Sequence, residues 1–86
     1  MRREDIISEV LRVFKEQFEI DNPKFDVDLR DTYEFDSIDA IELLREIEVF
    51  LGMPLTREEK KKAMDIRTVN QIVDYIEWLA SDRNGI

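Results

Sequence analysis

The chain contains no cysteine and no histidine. Without cysteine there is no disulfide, thiolate metal ligand or thiol nucleophile, and without histidine the commonest general base and metal ligand is missing too. Most routes to autonomous catalysis are closed, and no nucleophile–base pair can be assembled from what remains. Glycine and proline number only two each in 86 residues, too few for a turn-rich β-sandwich. No apolar run is long enough to span a bilayer, and Met1-Arg2-Arg3 leads into Glu4-Asp5 rather than into an apolar signal segment. The missing cysteines suit a reducing compartment, so the expected location is the cytoplasm.

Positive charge is also scarce: 13 Lys and Arg stand against 21 Asp and Glu, a formal net charge of −8. Such a surface repels phosphate backbones and anionic lipid heads and attracts proteins with basic patches. Nucleic acid and membrane insertion are therefore set aside as modes of action. With 43% hydrophobic and 40% charged residues, the composition fits a compact helical protein rather than a disordered one. The length suits a single domain over 1–86 with one small core.

The expected fold is all-α: a four-helix bundle with three longer helices, one short third helix and a long loop between helices one and two. Ile6, Val10, Val13, Phe14 and Phe18, joined by Ile7 and Leu11, recur at helical spacing and predict a first helix over about 3–19. Asp21 to Tyr33 reads as the long connection, with Phe25, Val27 and Leu29 available to pin it to the core. An EF-hand reading of Asp26-Val-Asp28 fails, because Arg30 takes a liganding position and Ser37 falls where the bidentate Glu belongs. Thr56-Arg-Glu-Glu59 and Thr68-Val-Asn-Gln71 are capping-box patterns that open a short third helix, to about Met64 or Asp65, and a final helix. In the last helix Val69, Ile72, Val73, Ile76 and Leu79 face inward, and residues 81–86 are expected to fray.

The second helix opens within Tyr33-Glu-Phe-Asp-Ser-Ile-Asp-Ala-Ile-Glu-Leu-Leu44. Asp36 is a good N-cap and Asp39 stands where the reciprocal capping-box acid belongs. Ile38, Ile41, Leu43, Leu44, Ile47, Phe50 and Leu51 are expected to form its buried stripe, and Gly52 and Pro54 end it. Ser37 is left in the first turn, at the positive end of the helix dipole. Asp39, Glu42 and Glu46 share one side by i, i+3, i+7 spacing, with Glu48 near its edge.

The stretch Phe35-Asp-Ser-Ile-Asp-Ala-Ile-Glu-Leu-Leu44, with Gly52, the short helix and Thr68-Val-Asn-Gln-Ile-Val-Asp-Tyr-Ile76 after it, resembles the acyl carrier protein family over nearly the whole chain. The tetrapeptide Asp36-Ser37-Ile38-Asp39 is a weak signal alone; its place at the start of the second of four helices in a small acidic chain raises its specificity. The resemblance implies that Ser37 carries a covalent 4′-phosphopantetheine arm, attached from coenzyme A by a phosphopantetheinyl transferase. Acyl groups would be held on the arm's thiol as thioesters and presented to partner enzymes of fatty acid, polyketide or related lipid biosynthesis. The chain would then be a monomeric shuttle and not an enzyme. Asp36, Asp39, Glu42 and Glu48 match family positions that meet basic patches on partner enzymes, and Glu46 joins them by geometry. The resemblance further implies that an acyl pocket involves Ile47, Ile66, Ile72 and Ile76, which by periodicity alone are core residues. A peptidyl or aminoacyl carrier and an unmodified helical interaction module remain open as alternatives.

The chain departs from the family pattern at several positions. Tyr33 and Glu34 replace the usual Leu-Gly before the Asp-Ser, Ile38 replaces a Leu, and Arg45 stands where a Met is familiar. Lys60-Lys61-Lys62 makes the third helix locally basic, and Ile72 takes the place of a small Ala. These differences in charge and volume point to a specialised carrier.

Overall fold

A computed structural model describes residues 2–84, and within them the chain is helical with no strand. Five helices follow in order: α1 (Arg3–Phe18), α2 (Leu29–Tyr33), α3 (Ser37–Leu51), α4 (Arg57–Lys62) and α5 (Val69–Asn84). One 3₁₀ turn, Ala63–Asp65, extends α4. The expected long helices and the short one are present, and α2 is an addition inside the connection. Asp28 explains it, because its side chain accepts from the Asp31 N–H and caps a single turn while Leu29 is buried. α5 runs through Asn84; of the stretch expected to fray, Gly85 and Ile86 lie outside the described residues.

The core forms chiefly between α1 and α5. Ile6, Val10, Val13 and Phe14 of α1 are buried with Val69, Ile72, Val73, Ile76 and Leu79 of α5. Side chains of this size contribute about 1.5–3 kcal/mol each on full burial. Arg3 tethers the solvent edge of this pair, donating to Asp74 at 2.8 Å and Glu77 at 3.2 Å. α3 adds Leu43 and Ile47 to the same cluster.

Three devices fix the connection that leads to Ser37. The Leu29 N–H donates to the Arg67 carbonyl at 2.8 Å, and the Asn70 N–H to the Phe25 carbonyl at 3.0 Å, sewing the loop to the start of α5. The Tyr33 hydroxyl accepts from the Lys24 N–H at 2.8 Å. Phe35, two residues before Ser37, stacks parallel to Phe14 at 5.7 Å between ring centroids and meets Phe18 edge-on at 5.1 Å. Such aromatic pairs add about 0.5–1.5 kcal/mol beyond their burial, so the entry to α3 is anchored to α1.

Candidate functional site

α3 begins with the reciprocal cap that its sequence predicts. The Asp39 N–H donates to Asp36 Oδ1 at 2.9 Å, and the Asp36 N–H donates to Asp39 Oδ2 at 3.1 Å. The bond from the Asp39 N–H is the main reason the Asp36 carboxyl is held below the usual carboxylate range. Because Asp36 does the capping, the Ser37 side chain is left over. It is exposed in the first turn and its hydroxyl has no hydrogen-bond partner among the described residues.

Ser37 stands on the edge of an apolar groove of about 350 Å³, within the size range of small-molecule sites. Leu44, Ile47, Ile66 and Ile72 form much of its wall, with Ala63 of the 3₁₀ turn and Leu29 of α2. Of the four residues expected at an acyl pocket, Ile47, Ile66 and Ile72 line this groove. Ile76 does not: it lines a separate small crevice with Val10 and Val13 of α1, because its position on α5 turns it toward α1. Arg30, Lys60 and Arg67 also line the groove, one each from α2, α4 and the residue pair before α5. In the sequence Lys60 stands out only as part of a basic run, and Arg30 and Arg67 lie too far from it for any motif to link the three.

The outer face of α3 differs from the expected one. Ile38 is 74% exposed and Ile41 55% exposed, and neither belongs to the buried stripe. One turn covers 3.6 residues, so seven apolar positions on one helix are more than a single inward face can take. Ile38, Ile41, Arg45 and Val49 make the most exposed strip instead, while Asp39, Glu42 and Glu46 lie half-buried on one shoulder of it. Glu46 reaches the crevice against α1, and Glu42 lies 3.9 Å from Arg45. Glu48 sits on the other shoulder and accepts from the Leu55 N–H at 2.7 Å, which fastens the turn after α3. Of the five acids expected on the partner face, Asp36, Asp39 and Glu48 thus also hold backbone N–H groups.

α4 is fastened to α5 by contacts that sequence reading missed. The buried Tyr75 hydroxyl donates to the Glu59 carbonyl at 2.6 Å, and the Lys62 ammonium lies 4.9 Å above the Trp78 ring. Thr56 and Glu59 form the predicted capping box, and Glu59 is buried. Hydrogen bonds and one cation–π contact thus join the packing of Leu55, Ala63 and Ile66 on the core in holding this wall of the groove, while Met64 stays 73% exposed.

No described helix is long and apolar enough to cross a membrane, and no group of three or more acids lies together as a metal site among the described residues. Residues 5–76 match the family model described as the phosphopantetheine attachment site. The chain is 32% identical over 78 residues to an acyl carrier protein of Rubrobacter xylanophilus, covering 88% of this chain and 93% of that protein. It is 30% identical over 78 residues to an acyl carrier protein of Lactobacillus johnsonii, covering 88% of this chain and 94% of the relative. No solved structure matches the chain significantly. A match over most of the chain on both counts means that this protein belongs to the acyl carrier protein family: its cofactor is 4′-phosphopantetheine, it works with phosphopantetheinyl transferase and synthase enzymes, and it is a carrier and not a catalyst.

Proposed function

We propose that Ser37 bears the 4′-phosphopantetheine arm and that the chain presents acyl groups to enzymes of fatty acid, polyketide or related lipid biosynthesis in the cytoplasm, where coenzyme A supplies the arm. The observation that carries this reading is the exposed, unpartnered Ser37 hydroxyl beside an apolar groove. The residues present fit the group. A phosphodiester in the first turn of α3 meets the positive end of the helix dipole, and the hydroxyl is not consumed by capping. When bound, the arm supplies a terminal thiol that holds acyl groups as thioesters, which makes up for the cysteine the sequence lacks.

Ile38 and Ile41 supply an exposed apolar centre for partner docking, and Asp36, Asp39, Glu42, Glu46 and Glu48 supply acids around it that favour a basic partner. Rim charges of this kind mainly speed and orient encounter, so docking is transient and weakens with salt. Ile47, Ile66 and Ile72 line the space in which an acyl chain shelters.

The test is intact mass after incubation of the apo protein with coenzyme A, magnesium and a broad-range transferase, beside Ser37→Ala. In the expected reaction Ser37 Oγ bonds to the phosphorus that bears the pantetheine, 3′,5′-ADP leaves, and the hydroxyl proton is released. A gain of one phosphopantetheine in the wild type only is expected. An equal gain in Ser37→Ala would overturn the assignment of the site, and no gain from any transferase, the native host's included, would overturn the reading.

A further inference from the structure

The groove beside Ser37 is more cationic than an acidic chain would predict. Arg30, Lys60 and Arg67 line it, and the one acid among its lining residues, Asp36, is committed to the cap of α3. Among the arginines away from the groove, Arg2 pairs with Glu4, Arg3 with Asp74 and Glu77, Arg12 with Glu9 and Glu16, and Arg45 with Glu42, whereas Arg57 and the lysines on the open surface have no carboxylate partner among the described residues. Arg30, Lys60 and Arg67 have no carboxylate partner among the described residues, although the chain holds 21 acids to 13 bases. Arg67 is also held in place, donating from one guanidinium nitrogen to the Met64 and Ile66 carbonyls, each at 2.9 Å. A guanidinium has five N–H donors, so donors remain for a ligand.

The three cations come from α2, α4 and the segment before α5, not from α3, which bears Ser37. An anion attached directly to Ser37 has the α3 dipole to receive it. A rim on the other elements instead suits an anion carried at the far end of a chain. The wall of Leu44, Ile47, Ile66 and Ile72 suits methylenes. A purely aliphatic acyl chain satisfies the wall and leaves the rim unmatched; a chain that ends in a carboxylate satisfies both, through charge-assisted hydrogen bonds at the mouth of the groove.

Resting on the reading of Ser37 as the attachment point, we propose that this groove selects short acyl groups with a terminal carboxylate, and that Arg30, Lys60 and Arg67 receive it. The test loads the full chain with glutaryl- or hexanoyl-phosphopantetheine, two straight chains of similar size, from the corresponding coenzyme A esters, with intact mass to verify each product. Melting temperature is then compared for wild type, Arg30→Gln/Lys60→Gln and the charge-keeping Arg30→Lys/Lys60→Arg. Both side chains are exposed, so the variants keep the fold. The glutaryl form of the wild type is expected to melt about 4 °C above the hexanoyl form. That gap should vanish in the glutamine variant and in high salt, and persist in the charge-keeping variant. A hexanoyl form as stable as the glutaryl form, or a gap that the glutamine variant retains, would overturn the proposal. So would a rim that stabilises the unacylated holo form with no preference for cargo, since the phosphodiester would then be its ligand. Failure of Ser37 to gain any mass would instead strike the reading of the carrier itself.

Discussion

Where α1 meets α5, Ile6, Phe14, Ile72, Val73 and Leu79 have no exposed surface; at the start of α3 and the end of α4, Ile38, Ile41 and Met64 keep more than half of theirs in water. Both regions draw on the same kinds of apolar residue, so hydrophobicity alone does not separate them. What separates them is how each is held. The first region is closed by side-chain packing, and the second is held largely by hydrogen bonds between a side chain and a backbone group, such as Asp36 with Asp39, Glu48 with Leu55 and Tyr75 with Glu59. Bonds of this kind fix a wall without filling the space beside it, and a carrier needs that space.

Truncation in each region breaks the comparison most sharply. Phe14→Ala removes a fully buried ring that also meets Phe18 and Phe35, and should cost about 3–5 kcal/mol. That is a large part of the stability of a small domain, so the variant is expected to be partly unfolded in the absence of denaturant. Ile41→Ser, on the exposed strip, should change stability by less than about 0.5 kcal/mol. Urea unfolding of the two variants checks both values. A loss of more than about 2 kcal/mol in Ile41→Ser would mean that the strip is packed and not available to partners.

A smaller effect is expected at the joint between the regions. Tyr75→Phe keeps the ring in the core and removes the hydroxyl that donates to the Glu59 carbonyl, at a cost of about 1–2 kcal/mol. Hydrogen exchange should rise in Arg57–Lys62 and the turn after it, with α1 and α5 unchanged. A uniform rise over all helices would show that α4 unfolds together with the core and not as the separately fastened wall.

The capping boxes were legible in the sequence because each is written within four residues: Asp36 with Asp39, Thr56 with Glu59 and Thr68 with Gln71 all form the predicted pairs. The family pattern around Ser37 was legible for the same reason. α2 escaped because five residues are too few for a period to show. The outward turn of Ile38 and Ile41 escaped because periodicity counts apolar positions and does not say how many of them one face can bury. The cationic rim and the Tyr75–Glu59 bond join residues separated by long stretches of chain, and only the packed helices bring them together.

The smallest effect separates the two regions by how each holds a carboxylate. Glu9, on α1, is held below its ordinary range chiefly by a hydrogen bond from Arg12, whereas Asp36, on the groove side, is held low chiefly by the Asp39 N–H. In both cases folding lowers the pKa, so the unfolded chain binds protons more readily as the solution is acidified. The stability each contributes is therefore complete above the unfolded value, near 4, and is lost as pH falls through the depressed folded value. Asp36 is exposed and Glu9, though half-buried, pairs with an arginine at the surface, so the contributions are small. Salt tells them apart, because an exposed guanidinium–carboxylate attraction is screened and a short bond from a backbone N–H within a helix cap is screened much less. Titration of the side-chain carboxyl carbons by NMR, at low and at high ionic strength, should show the Glu9 midpoint rising toward its ordinary value while that of Asp36 stays low. If the Asp36 midpoint rises as far as that of Glu9, long-range charge and not the cap sets it, and the start of α3 is not held locally in the way the groove requires.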